Sequence, residues 1–83
     1  MWYIYIVKCS DNTLYTGITN NLEKRIATHN NKKGAKYTKT RLPVTLMAYW
    51  EASNRSEASK EEYRIKKLSR ASKMVLICDW SVP

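Results

Sequence analysis

The stretch Trp2-Tyr3-Ile4-Tyr5-Ile6-Val7 is β-branched or aromatic at every position rather than at alternate ones. A strand with one face in water alternates apolar and polar residues, so this unbroken run predicts a central strand covered on both faces. Ser10-Asp11-Asn12-Thr13 is a cluster of turn formers, and Leu14-Tyr15-Thr16-Gly17-Ile18 resumes the strand pattern. A hairpin with antiparallel pairing follows. Thr19 and Asn20 are candidate N-caps, and Glu23 stands three residues after Asn20. That is the capping-box spacing, and it opens a helix expected to run to about Asn31.

On that helix Leu22 and Ile26 form the apolar stripe, with Glu23, Lys24, Thr28 and Asn31 pointing away. Arg25 and His29, one turn apart, fall beside the stripe rather than opposite it, which places two polar groups at the margin of the packed face. The segment from Asn30 to Arg41 has a glycine, several lysines and little periodicity, so it reads as a loop ending near Leu42-Pro43. Val44 to Trp50 reads as a third strand. Ser53 to Ser56 supplies turn and cap residues before a second helix beginning at Glu57-Ala58, with Ala58, Ile65 and Leu68 at helical spacing. Ser69 caps a last short helix through Val75, Leu76 and Ile77. The order β-β-α-β-α-α predicts an α+β fold, a small three-stranded antiparallel sheet flanked by helices on both sides. With no internal repeat or linker, residues 1–83 are expected to form one domain.

A chain of 83 residues has one modest core. Its apolar runs, Trp2 to Val7 and Met74 to Cys78, fall far short of the roughly 20 residues that span a bilayer. No leader-like segment follows Met1, so the expected location is the cytoplasm. Cys9 and Cys78 lie near opposite ends of the chain and predict small buried hydrophobes rather than a disulfide. With His29 they match no zinc spacing. No nucleophile elbow and no glycine-rich phosphate loop occurs, which removes acyl transfer and nucleotide hydrolysis from consideration.

Fifteen Lys and Arg against seven Asp and Glu leave a net charge of +8. Lys32, Lys33, Lys36, Lys39 and Arg41 fall in one segment without an acidic residue, and six more cations lie between Lys60 and Lys73 against two carboxylates. A phosphate backbone is the natural partner for such a field, and the charge pattern does not discriminate DNA from RNA. A solvated basic surface would carry the same charges. Six tyrosines, Arg25, His29 and the adjacent carboxylates Glu61 and Glu62 remain to decide between them. Tyr5 and Tyr15 fit packing across a hairpin as well as chemistry. Helical angles allow either Glu61 or Glu62 to face inward, and Glu62 also has the i, i+4 spacing to pair with Lys66.

In this setting the sequence resembles the GIY-YIG nuclease superfamily, which includes the N-terminal incision domain of the UvrC repair nuclease, Slx-type resolvases and some homing endonucleases. Tyr3-Ile4-Tyr5 resembles the first signature and Tyr15-Thr16-Gly17 the second, with ten residues between Tyr5 and Tyr15. Arg25, ten residues after Tyr15, matches the family's catalytic arginine. His29 matches a position where the family uses His or Tyr, and Glu62 its single metal-binding glutamate. Gly34-Ala35-Lys36-Tyr37-Thr38 and Leu68-Ser69-Arg70 resemble more narrowly the small stand-alone bacterial branch. Tyr3 replaces the first-signature glycine and Thr16 the second-signature isoleucine, as is typical of that branch. The accessory DNA-binding domains of many members have no counterpart among these residues.

The resemblance implies a metal-dependent DNA endonuclease acting in repair or processing. In it Tyr15 is the general base, Arg25 stabilises charge on the phosphoryl group, and Tyr5 and His29 orient the first group. Glu62 would hold one Mg²⁺, with Mn²⁺ as a substitute. A single carboxylate suits an ion that keeps several waters. A phenol ionises at about pH 10, so a tyrosine serving as base near neutrality needs neighbouring cations. Lys32, Lys33, Lys36, Lys39 and Arg41 would hold flanking backbone, and Tyr37 would stack on a base or support the site. The competing expectation is a non-catalytic nucleic-acid-binding module with the same fold. A domain this small would gain specificity by dimerising or by recruiting a protein partner.

Overall fold

The computed structural model describes residues 1–80. Strand β1 (Trp2–Lys8) is the middle of a three-stranded sheet ordered β2-β1-β3, where β2 spans Leu14–Thr19 and β3 Thr45–Ala52. Both pairings are antiparallel, with Tyr5 opposite Gly17 on one side and Tyr49 on the other. Each face of β1 is buried, as its unbroken apolar run requires. Ile4 and Ile6 pack against Ala58 and Ile65 of helix α3 (Arg55–Lys66), with Leu76 and Ile77 of α4 (Arg70–Asp79) beside them. On the opposite face, Tyr5 and Val7 join Cys9 and Val44 in a cluster that takes in Leu22 and Ile26 of α1 (Leu22–Asn30).

The β1 to β3 register slips between Ile6 and Val7, where Ile6 faces Ala48 and Val7 faces Leu46. One extra residue, Met47, turns the alternation of β3 over. Leu46 and Tyr49 therefore share the α1 face although an odd number of positions separates them.

Several local expectations need correcting. The α1 cap is Asn21, whose side chain accepts from the Lys24 amide at 3.1 Å, while Thr19 Oγ1 instead bonds the Asn21 backbone. The lysine-rich connection holds one short helix, α2 (Lys36–Lys39). Aperiodic sequence hid it because four residues are too few to show a period. Asn54, within the expected cap stretch, caps α3, which begins at Arg55, two residues ahead of the expected start. Ser69 caps α4, as expected. Cys9 is buried, but Cys78 is exposed because α4 turns Leu76 and Ile77 inward.

Helix α1 departs most from its pattern. Leu22 and Ile26 are only partly covered, and they line an open groove of about 430 Å³ with Glu23, Ala27, Asn30 and Leu46. His29 is the one buried residue of the helix. The polar margin of the predicted stripe is thus its most enclosed part, because the connection to α2 folds back over it.

Candidate active site

Tyr5 is fully buried, and its hydroxyl is the hub of the site. It lies 2.9 Å from His29 Nε2 and accepts from Arg25 Nε at 3.3 Å. Three segments converge on that oxygen. Strand β1 points Tyr5 toward α1, and α1 presents Arg25 and His29 one turn apart. Strand β2 clears the space with Gly17, over which the Tyr5 phenol lies. The glycine of the Tyr15-Thr16-Gly17 motif is there to admit a ring.

His29 is also fully buried, and both ring nitrogens are occupied, with Nδ1 2.8 Å from Thr38 Oγ1. Such enclosure leaves the ring no path to a phosphate and fits the orienting role expected of it. Burial and then the nearby Arg25 charge hold its pKa below the ordinary 6.5, so the ring is neutral at physiological pH. Burial likewise raises the Tyr5 phenol above its usual value, against the opposing pull of Arg25. Tyr5 therefore keeps its proton. The Arg25 guanidinium stays charged, held first by its bond to Tyr5 and further by Tyr15.

Tyr15, half-buried on the next strand, sits outside this chain of bonds. Its ring meets His29 edge-on at 5.6 Å and stacks against Tyr37 at 5.8 Å with 23° between planes. Lys66 Nζ of α3 is 5.9 Å from the same ring. Lys66 also lies 3.7 Å from Glu62 Oε2, and the Glu62 side chain is only 23% exposed. The Glu62 charge is felt at the Tyr5 phenol. Glu61 instead faces Arg64, which donates to its Oε2 from Nε at 3.1 Å and from Nη2 at 2.8 Å. The structure thus separates two carboxylates that helical angles alone left equivalent.

Among the described residues no three His, Cys, Asp or Glu side chains gather as a ready-made cage. What the chain offers a cation here is the Glu62 carboxylate, 3.7 Å from the Lys66 ammonium and in no closer ion pair. A hard ion that retains waters and draws its other oxygens from substrate fits such a donor set.

The basic segment divides. Arg41 is engaged within the chain: it lies 4.1 Å over the Tyr37 ring, donates to the Tyr37 carbonyl at 2.8 Å and pairs with Asp11 at 3.0 Å. Lys32, Lys33, Lys36 and Lys39 are exposed and in no ion pair among the described residues. Gly34 packs so closely on His29 that a β-carbon would collide with the ring, and Tyr37 covers Tyr15. The segment is therefore a wall of the site carrying lysines on its outer surface. Sequence reasoning gave no role to Thr38 or Gly34, and it saw Lys66 only as a partner for Glu62, not as a neighbour of Tyr15. Nothing in periodicity marks these contacts, since Gly34 and Thr38 reach His29 through a turn and Lys66 reaches Tyr15 from a different element.

Comparison with known proteins identifies the family and the fold. The family profile described as "GIY-YIG catalytic domain" matches residues 1–75. UPF0213 protein SH2523 from Staphylococcus haemolyticus is 60% identical over 75 residues, covering 90% of this chain and 92% of its own. UPF0213 protein CPE1444 from Clostridium perfringens is 55% identical over 82 residues, covering 99% and 88%. The solution NMR structure of UPF0213 protein BH0048 from Bacillus halodurans superposes with a TM-score of 0.60 at 43% identity, covering 94% and 84%. A family match over residues 1–75, with relatives more than half identical along almost the whole chain, settles the kinship: the chain belongs to the GIY-YIG catalytic domain family.

Proposed function

We propose that this chain is a divalent-metal-dependent endonuclease that hydrolyses phosphodiester bonds in DNA, in repair or processing, as one domain over residues 1–83. The observation that carries the reading is the Arg25 to Tyr5 to His29 hydrogen-bond chain with Tyr15 packed against its imidazole. Packing alone gives no reason to bond a charged guanidinium to a buried phenol beside a second tyrosine.

The roles follow from exposure. Tyr5 and His29 are sealed from solvent and act as positioning residues. Tyr15 is half-buried and free to meet a water. The Tyr15 oxygen, as general base, accepts a proton from that water as the water oxygen bonds to phosphorus. The bond from phosphorus to the leaving sugar oxygen breaks, and that oxygen takes a proton from solvent. Arg25 gives Nε to Tyr5 and keeps its terminal N–H groups for the phosphoryl oxygens, where negative charge grows in the transition state. Glu62 would hold the divalent ion, whose chemistry is to stabilise charge on phosphoryl and leaving oxygens. Lys32, Lys33, Lys36 and Lys39 supply the outer field that draws in the backbone.

Nicking of supercoiled plasmid tests the reading. With Mg²⁺ or Mn²⁺ the wild type should convert supercoiled to open-circular DNA, and EDTA or Glu62→Ala should abolish the conversion. Salt-sensitive DNA binding without cleavage of plasmid, branched or single-stranded DNA would show instead a binding module.

A further inference from the structure

Five groups run in series through the site: Arg25 Nε, the Tyr5 hydroxyl, the His29 ring, Thr38 Oγ1 and the Ala35 carbonyl. The successive separations are 3.3, 2.9, 2.8 and 2.9 Å. Tyr5, His29 and Thr38 are each 0% exposed, so water does not complete their bonding. The protons along this series can be assigned by elimination.

An arginine Nε–H only donates, so the Tyr5 oxygen accepts from it. The phenol's own proton then has one acceptor in reach, His29 Nε2. A neutral imidazole with Nε2 as acceptor carries its proton on Nδ1, where it faces Thr38 Oγ1. That hydroxyl accepts and passes its own proton to the Ala35 carbonyl. The opposite tautomer would aim two donors at the Tyr5 oxygen and leave a buried phenolic proton unmatched. The side chains facing the imidazole are Tyr5 from β1, Tyr15 from β2, Arg25 from α1 and Thr38 from α2, with Gly34 closing the last side. None but Thr38 can receive the Nδ1 proton.

We propose that Thr38 is a positioning residue: its hydroxyl fixes His29 as the Nδ1–H tautomer, and His29 in turn fixes Tyr5 as a donor with its lone pair turned to Arg25. The catalytic consequence rests on the nuclease reading above, whereas the tautomer does not. Thr38 lies in the lysine-bearing wall, so the segment expected to touch DNA is hydrogen-bonded directly into the site it flanks.

The chain has a single histidine, so long-range ¹H–¹⁵N correlation spectra report its ring nitrogens without ambiguity. The wild type should show Nδ1 as the protonated nitrogen. Thr38→Val, of the same shape but without the hydroxyl, should move the proton toward Nε2, and Thr38→Ser should restore it. In the plasmid assay Thr38→Val should lower turnover about tenfold with little change in KM, and Thr38→Ser should recover most of it. A wild-type spectrum with the proton on Nε2 overturns the proposal and needs no variant to fold. So does a Thr38→Val spectrum identical to wild type. An Nδ1–H wild type that cleaves no DNA supports the tautomer lock and overturns the nuclease reading, so the two failures are told apart.

Discussion

The phenol of Tyr5 lies across the backbone of Gly17, its partner on β2, so closely that a β-carbon on Gly17 would sit 2.5 Å from the hydroxyl oxygen and 2.7 Å from Cζ. No glycine of the chain has positive φ, so this one is needed for space and not for backbone freedom. Gly17→Ala must push the ring away from His29 and Arg25. Overpacking of this kind costs about 1–3 kcal/mol, readable in urea unfolding. The variant should also lose the Tyr5 to His29 bond, seen as a changed imidazole resonance.

Lys32 should be replaceable with profit to stability. After α1 its amide bonds the His29 carbonyl, and the Lys33 amide bonds that of Thr28, both at 3.0 Å. This Schellman arrangement puts Lys32 at φ 65°, the left-handed region that favours glycine. Lys32→Gly should stabilise the fold by about 0.5–1 kcal/mol, after glycine's greater freedom in the unfolded chain is counted. Lys32→Ala removes the charge but keeps the strain, and it should not stabilise. Thermal unfolding of the three proteins checks the order.

Thr16 carries a buried hydroxyl with no hydrogen-bond partner among the described residues. It sits on the α3 face of β2 between Leu14 and Ile18, both packed on the apolar cluster. Thr16→Val keeps the shape and removes the unmatched group, so it should raise stability by about 1 kcal/mol. Urea midpoints decide this. A lower midpoint would mean that the hydroxyl is satisfied in solution.

Acid should weaken the fold through His29. Its folded pKa lies below 6.5 because of burial and then Arg25. Between those two values the unfolded chain binds the extra proton, and stability rises with pH wherever the unfolded state holds more protons. Stability should therefore fall as pH drops through about 6.5 and level off below the folded pKa. Asp11, lowered mainly by its bond to Thr13, acts nearer its ordinary 3.8 and stays out of that window. Unfolding free energies measured from about pH 8 to pH 5 should show the decline in wild type and lose it in His29→Gln.

How much of this was legible in the sequence depends on the range of each interaction. The unbroken run at Trp2 to Val7 announced a doubly covered strand, and the hairpin after it was set by local turn chemistry. The pairing of Tyr5 with Gly17 follows from that hairpin. The β3 bulge at Met47 was not legible, because alternation there is satisfied only after a slip set by the partner strand. His29 shows the same limit. Its place beside the α1 stripe was visible, but its enclosure depends on Gly34 and Thr38, which reach it through a turn that no periodicity encodes. Composition read Arg41 as one more phosphate-seeking cation. Its ties to Asp11 and Tyr37 bridge the hairpin turn and α2, a contact between distant segments.

The division of labour between the two tyrosines is the most exposed part of the account. Tyr5 is sealed and bonded on both sides, while Tyr15 is half-buried beside His29, Tyr37 and Lys66. Plasmid nicking by Tyr15→Phe, with folding and DNA binding verified as wild type, is the most direct measurement. The rate should fall by about a hundredfold or more, the scale of a lost general base. A Tyr15→Phe protein that nicks at the wild-type rate would contradict it.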